Sequence, residues 1–532
     1  MVSFDTPIIL FPLVLLSLAI LWVRANRNAR NLPLPPGPRA FPIVGSFFDI
    51  PRASPWLTYQ SLCEKYGDIV HVRVMGKSII IAGTPEVAME LLEKRSANYS
   101  DRPTSAAIPL FGCEWVVGLL PYGQRWRRAR QILHQYFNHR MVQNYREIQT
   151  QDTVRFLQDL LADSTRFEYH LRFALVRSLT KILYGFKPDD DKYLSLVEKA
   201  TESTEELVSG TFLVDFVPFM KYLPSWFPGA GFQKRFAKWR AASVNARDIP
   251  FDTGKEAFNA GTASSCVETA LLEKISGNSD KSAIDEEKIA RGALSSAHTG
   301  ADTYFEPDDF SSDIFVGPLV LRSHACKSGG AEESTGELDA VVGPGRLPTF
   351  SDRDSLPYMN AIVLECLRWC PVVPAGIPHR AMADDEYNGY FIPKGSIIIS
   401  NIWSFVRDAS VYAQPEAFNP DRFLKDGKLD PEVTDPSTVA FGFGRRICPG
   451  RHLADDSLFI IAASVLHVYE INPGLDEKGR PVPFSPAMEP QAFSYPVPFK
   501  CRIKPRSETA EKLILATMDS QEEPIATSDF LL

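Results

Sequence analysis

The chain has 532 residues, 45% of them apolar, with a formal net charge of −8 and a pI near 5.7. This length exceeds a small domain and suits a large single-domain enzyme, while the acidic balance argues against a nucleic-acid partner. Eight cysteines lie scattered without paired spacing, which suggests neither a disulfide framework nor a zinc module and fits a reducing compartment.

Between Asp5 and Arg24 no residue is charged, and most are Leu, Ile, Val or Phe. The run is close to the ~20 residues that cross a bilayer as a helix. Arg24, Arg27 and Arg30 follow it, which predicts a transmembrane anchor over 1–24 with the following domain on the cytosolic side. A basic, proline-rich hinge over 25–40 ends in Pro33-Leu-Pro-Pro-Gly-Pro38, a stiff spacer. The main domain then spans 41–506. Ile69 to Met75 alternates and Ser78 to Ala82 follows, a hairpin pattern. Pro85 to Ser96 reads as a helix, and the sequon at Asn98 would stay unmodified in the cytosol.

Asp101 to Tyr122 is a loop too apolar for an ordinary surface segment. Ile108, Leu110, Phe111, Trp115, Val116 and Val117 suggest that it roofs an apolar cavity. In the helix from Gln124, Trp126 and Arg130 share one face. Arg125, Arg127 and Arg128 point elsewhere, as a solvated basic face or as a docking face for an acidic redox partner. Residues 140–290 read as mostly helical. Phe212, Phe216, Phe219, Trp226 and Phe227 stand among prolines and glycines, as core or as a lid that dips into a membrane interface.

A helix beginning near Asp285 carries small residues, including Ser296 and Thr299, as needed where a helix lies against something flat and close. It runs to Asp302 and Thr303 and then breaks. Pro307 ends or kinks a helix, and Gly317-Pro318 and Gly329-Gly330 read as loop. Glu365 and Arg368, three apart on a helix over 360–370, can pair. Tyr390 to Ile399 reads as a hairpin, Arg451 to about Tyr469 as a helix, and 507–532 as a polar, disordered tail.

The most informative stretch is Phe441-Gly-Phe-Gly-Arg-Arg-Ile-Cys-Pro-Gly450. Gly442 and Gly444 free the backbone to turn amide groups inward toward the sulfur of Cys448. Two arginines and the following helix N-terminus add positive potential, and all of these features lower a thiol's pKa. The spacing Phe-x-x-Gly-x-Arg-x-Cys-x-Gly resembles the haem-ligand loop of the cytochrome P-450 superfamily, and Thr299-Gly-Ala-Asp-Thr303 resembles its oxygen-activation motif. The chain is most similar to fungal microsomal members that oxidise secondary metabolites or xenobiotics.

The resemblance implies a mainly α fold with small β-sheets behind the anchor, in the endoplasmic reticulum membrane and facing the cytosol. It implies haem b (iron protoporphyrin IX) with Cys448 as axial ligand. Trp126, Arg130, Arg446 and His379 would lie at the haem propionates, and Phe441, Gly442 and Gly450 around the sulfur. Thr303 would hold a water and Asp302 would relay protons from solvent. Glu365, Arg368 and Arg422 would form a buried structural cluster whose spare donors need backbone carbonyls. Ile108, Phe111, Phe212, Ser296, Thr299, Val373, Ala375 and Phe493 would line the pocket of a small apolar substrate. Electrons would come one at a time from NADPH through a flavin-containing NADPH–cytochrome reductase, and one oxygen atom of O2 would enter the substrate. The alternatives are a haem-binding membrane protein without monooxygenase turnover, and a reductase-independent haem-thiolate isomerase or dehydratase. Neither a dinucleotide-binding Gly-x-Gly-x-x-Gly, a hydrolase elbow nor a His-Glu-x-x-His zinc motif is present.

The resemblance fails over 305–335, where the second threonine of the motif is Tyr304, and resumes at Glu337. This stretch reads as a frameshift or mis-spliced exon edge, with a genuine insertion as the alternative. Sequencing the transcript decides: a message encoding 305–335 in frame excludes the artefact.

Overall fold

The computed structural model describes residues 32–42, 44–50, 53–188, 191–209, 212–215, 217–223, 226, 231–276, 281–300, 328–482, 488–494, 497 and 500–519. The expected anchor over 1–24 and residues 25–31 of the hinge lie outside these residues, as do Asp302, Thr303 and most of 305–335. Among the described residues no helix is long and apolar enough to cross a membrane.

The elements that matter here, in chain order, begin with α1 (Pro55–Tyr66), β1 (Ile69–Val74), β2 (Lys77–Ala82), α2 (Gln124–Phe137), α3 (Arg146–Ala162) and α4 (Phe167–Tyr184). Then come α5 (Lys192–Ser209), α6 (Phe232–Asn259), α7 (Val267–Ser276), α8 (Lys281–Thr299), α9 (Ser328–Val341) and α10 (Pro357–Trp369). The chain closes with β3 (His379–Arg380), β4 (Asp385–Tyr387), β5 (Tyr390–Ile392), β6 (Ile397–Ser400), α11 (Arg451–Val468), β7 (Tyr469–Pro473), β8 (Cys501–Pro505) and α12 (Glu508–Asp519). The architecture is mainly helical with small sheets.

The expected hairpin of β1 and β2 is antiparallel, with Val70 opposite Ile81 and Val72 opposite Ile79. The hairpin expected over 390–399 does not form. β5 turns back on β4 instead, while β6 joins β2 in parallel and β3 antiparallel, in the order β1-β2-β6-β3. The reason is composition: Ile397–Ile399 has no polar alternation, so it suits an inner strand, and it sits opposite the equally apolar Ile79–Ile81. The helix expected over 85–96 is interrupted, with a π turn at Glu90–Lys94.

Two further expectations are corrected. Gly329 and Gly330 lie within α9, not in a loop, and the buried Leu338 ties that helix to the core. The tail expected from Ser507 starts with α12, whose Ala510 and Ile514 are buried against the same core. Apolar residues at 510, 513 and 514 give this polar-looking stretch one packing face. Residues 520–532 fall outside the described set.

The largest core is built on α10 and α11, with α3, β7 and β8 around them. α10 starts on Pro357, a residue suited to the first helical turn, and buries ten of its thirteen residues. One of these is Glu365, fully buried with Arg368. The Arg368 guanidinium donates to both Glu365 carboxylate oxygens, at 2.6 and 2.8 Å, and to the carbonyls of Val406, Pro415 and Ala417. Arg422 donates to Glu365 at 3.2 Å and to the carbonyls of Ala413, Gln414 and Ala417. The Asn419 N–H completes the ring of donors at 2.6 Å. Glu365→Ala leaves Arg368 buried without its counter-charge and should cost about 3–5 kcal/mol, read as a lowered urea midpoint at unchanged m-value.

Candidate active site

Cys448 is held in a turn that only this loop's sequence allows. Gly442 and Gly444 have φ of +78° and +54°, and a Cβ at Gly444 would overlap the Leu92 carbonyl. The Cys448 N–H donates to the Phe441 carbonyl at 2.8 Å, closing the turn. Phe443, 2% exposed, anchors the loop in the core beside Leu91, Leu92 and Phe405. The N–H groups of Gly450 and Arg451, at the start of α11, point at the sulfur.

The thiol's own titration differs from the expectation. Burial pushes Cys448 up from its ordinary value, and the two N–H groups with Arg130 and Arg451 pull back only part of that. A lowered thiol pKa is therefore corrected: desolvation outweighs the helix terminus and the arginines, and a coordinated metal would be needed to hold the thiolate. Cys448 nevertheless keeps some accessible surface while lying deep in the protein, so it fronts an interior space.

Around that space lies a buried cationic group. The Arg446 guanidinium stacks 4.3 Å from the Trp126 ring centroid and donates to the carbonyls of Ser100, at 2.7 Å, and Leu120, at 2.8 Å. Arg102, 4% exposed, donates to the carbonyls of Gly118, Ile377 and Pro378. The His379 Nδ1–H donates to the Tyr99 carbonyl at 2.7 Å, and burial with Arg102 and Arg446 holds the imidazole well below its usual range. Arg130 makes no hydrogen bond to protein among the described residues, though Cys448 and Arg451 act on it electrostatically. The neighbouring carboxylate, Asp101, is already bonded to Arg380 and to the Tyr122 N–H. Positive charge is thus in excess, and one guanidinium stands ready for an anion.

Arg102 was not anticipated from the sequence. Its signal was an arginine opening a loop whose other charged residues are only Asp101 and Glu114. The basic face on α2 also needs correcting: Arg128 is ion-paired with Glu286 of α8, which leaves Arg125 and Arg127 exposed.

α8 packs along α2 through Ala290, Ala293 and Leu294 against Trp126 and Ala129. At Gly292 the helix comes so close to Trp115 that a Cβ would sit 3.3 Å from its carbonyl oxygen. Ser296 accepts the Val117 N–H at 3.0 Å, and Thr299 back-bonds to Ser295 at 2.9 Å, so both hydroxyls are committed to the fold. Of the expected pocket residues, Ile108 and Phe212 are partly exposed, as are Val373 and Ala375. Phe493 is 4% exposed and its loop is tied to the 371–377 segment by the Ser494 N–H on Val372. Phe111 is corrected: with no accessible surface, its ring is clamped between Phe212 and Phe236 and belongs to the core.

The cytochrome P450 family model matches residues 35–303 and 331–496. The chain belongs to the cytochrome P450 family. The cytochrome P450 monooxygenases COX1 and COX2 of Coprinopsis cinerea are each 38% identical to it, over 90% and 94% of this chain and 93% and 95% of their own. The tryptamine 4-monooxygenase of Psilocybe cyanescens is 34% identical, over 92% of this chain and 96% of its own. The protein is thus a P450 monooxygenase, and the family match halts at 303 and resumes at 331, close to the break in the sequence pattern.

Haem is the family's cofactor, and the residues present fit it. A thiol fronting an interior space supplies an iron ligand, and the surplus of buried guanidinium groups suits two propionates. Arg130→Ala removes a donor that serves no protein group. It should lower the haem-to-protein ratio of the purified P450 with little change in apoprotein stability. Arg446→Ala strands the Ser100 and Leu120 carbonyls as well, about 1–3 kcal/mol for each buried unsatisfied group, and should lower both the ratio and the melting temperature.

Proposed function

We propose that this P450 inserts one oxygen atom of O2 into a small, largely apolar organic molecule, with electrons from NADPH delivered by a membrane-bound reductase. The observation that carries the reading is the positive-φ turn that sets the Cys448 sulfur against an interior space ringed by Arg102, Arg130, Arg446 and His379. Haem bound there supplies the one-electron and oxygen chemistry. The protein's part is to hold it and to shape what surrounds it. Cys448 would hold the iron, and the Gly450 and Arg451 N–H groups would stabilise the negative charge on its sulfur. Arg130 would receive the propionates, together with Trp126, Arg446, His379 and Arg102.

Asp302 would carry protons in from solvent and Thr303 would hold a water on that route. Val373, Ala375, Phe493, Phe212 and Ile108 exclude bulk water from the substrate. The uncharged run before Arg24 would anchor the protein in the endoplasmic reticulum membrane, with the exposed aromatics Phe219, Tyr222 and Trp226 resting at the lipid interface. Arg125 and Arg127 would meet an acidic partner.

A second reading is a haem-binding membrane protein without turnover, favoured by the interruption of the family match at 304–330, directly after Thr303. Full-length protein reduced under carbon monoxide should give the spectrum of a thiolate-ligated haem, and Cys448→Ser should abolish it. NADPH consumption coupled to product, with reductase added, supports the monooxygenase; a normal carbon monoxide spectrum without coupled product supports the second reading.

A further inference from the structure

Helix α5 carries two polar groups left unserved by the protein. Glu205 is 7% exposed; its carboxylate accepts the Phe493 N–H, yet Oε1 has no hydrogen-bond partner. One turn earlier, Thr201 is 3% exposed and its hydroxyl is also unpartnered. Residues four apart lie on the same face of a helix, so the two atoms form one polar spot on a buried surface. Buried polar groups are nearly always bonded, and two on one face call for a ligand that supplies hydrogens to both.

The spot lies among residues of the substrate pocket. Glu205 is tied to Phe493, and the next residue's N–H reaches Val372, beside Val373. On the other side, Leu207 belongs to the cluster that Phe212, one of the proposed pocket residues, packs against. The charges acting on Glu205 are those of Glu202 on the same helix and Glu489 on the Phe493 loop, both negative. Burial and these neighbours push its carboxyl up to about 7. A carbonyl or carboxylate ligand would meet the wrong potential here, whereas a cation relieves all three carboxylates.

We propose that Glu205 and Thr201 bind a protonated amine of the substrate, so that this P450 oxidises organic bases whose apolar body lies against Phe493 and Val373. One ammonium hydrogen goes to Glu205 Oε1, and a second N–H or a bridging water serves Thr201 Oγ1. The inference rests on the monooxygenase reading for what happens to the bound base, but the binding itself does not.

The test is calorimetric titration of the full-length holoprotein with 4-phenylbutylamine, whose ammonium has hydrogens for both groups, and with the uncharged N,N-dimethyl-4-phenylbutanamide, at about pH 8.5, where Glu205 is ionised and the amine still charged. The wild type should bind the amine about tenfold or more tighter than the amide. Glu205→Gln keeps a carbonyl for the Phe493 N–H; it should cut amine affinity about tenfold and leave the amide unchanged. Thr201→Val should cut it by about threefold. Equal or tighter amide binding by the wild type overturns the proposal, as does undiminished amine affinity in Glu205→Gln. If that variant does not fold, unchanged amine preference in Thr201→Val does the same. Carbon monoxide spectra of the same samples keep the two readings apart. A normal thiolate spectrum without amine preference sinks only the amine site, while an abnormal spectrum with amine preference sinks only the proposed chemistry.

Discussion

A carboxylate with no access to water holds the catalytic half of this protein in register. Glu365 binds two guanidinium groups and one backbone N–H, and those guanidiniums reach five separate carbonyls across 406–417. Such a cluster is a poor source of net stability, because desolvating three charges offsets most of their attraction. What it provides is geometry. The segment it pins leads directly to the Cys448 turn, while α10 belongs to the core shared with α11, whose first N–H groups face the sulfur. The position of the Cys448 turn thus follows from a polar constraint about thirty residues before it.

The site was legible in the sequence wherever local backbone chemistry dictates the answer. Gly442 and Gly444 announce positive φ, and Pro449-Gly450 before an apolar run announces a helix start. Glu365 and Arg368 announce a helical pair. Arg102 was not legible, because its role depends on carbonyls of residues 118, 377 and 378, which no local pattern brings together. The pairing of β6 with β2 was hidden for the same reason. Glu205 lies in the stretch that reads only as mostly helical, and the tertiary packing of the Phe493 loop reveals it as buried.

Two errors of inference share a cause. The thiol was expected to be acidic and Phe111 to face the pocket, and both expectations counted nearby groups without weighing burial. For Cys448, desolvation exceeds the pull of four favourable groups. For Phe111, two other rings occupy the surface that would have met a substrate. The α12 correction is different: a composition dominated by polar residues conceals one apolar stripe, and that stripe is enough to dock a helix.

The parallel partnership of β2 with β6 has a bearing on biosynthesis. β2 is complete at Ala82, but its neighbour emerges about 300 residues later, which at ~5–20 residues per second is roughly 15–60 s of translation. Throughout that interval the nascent chain offers an unpaired edge bearing Ile79, Ile80 and Ile81, an invitation to other chains. The inner pairing of this sheet is therefore complete only once synthesis has passed residue 400.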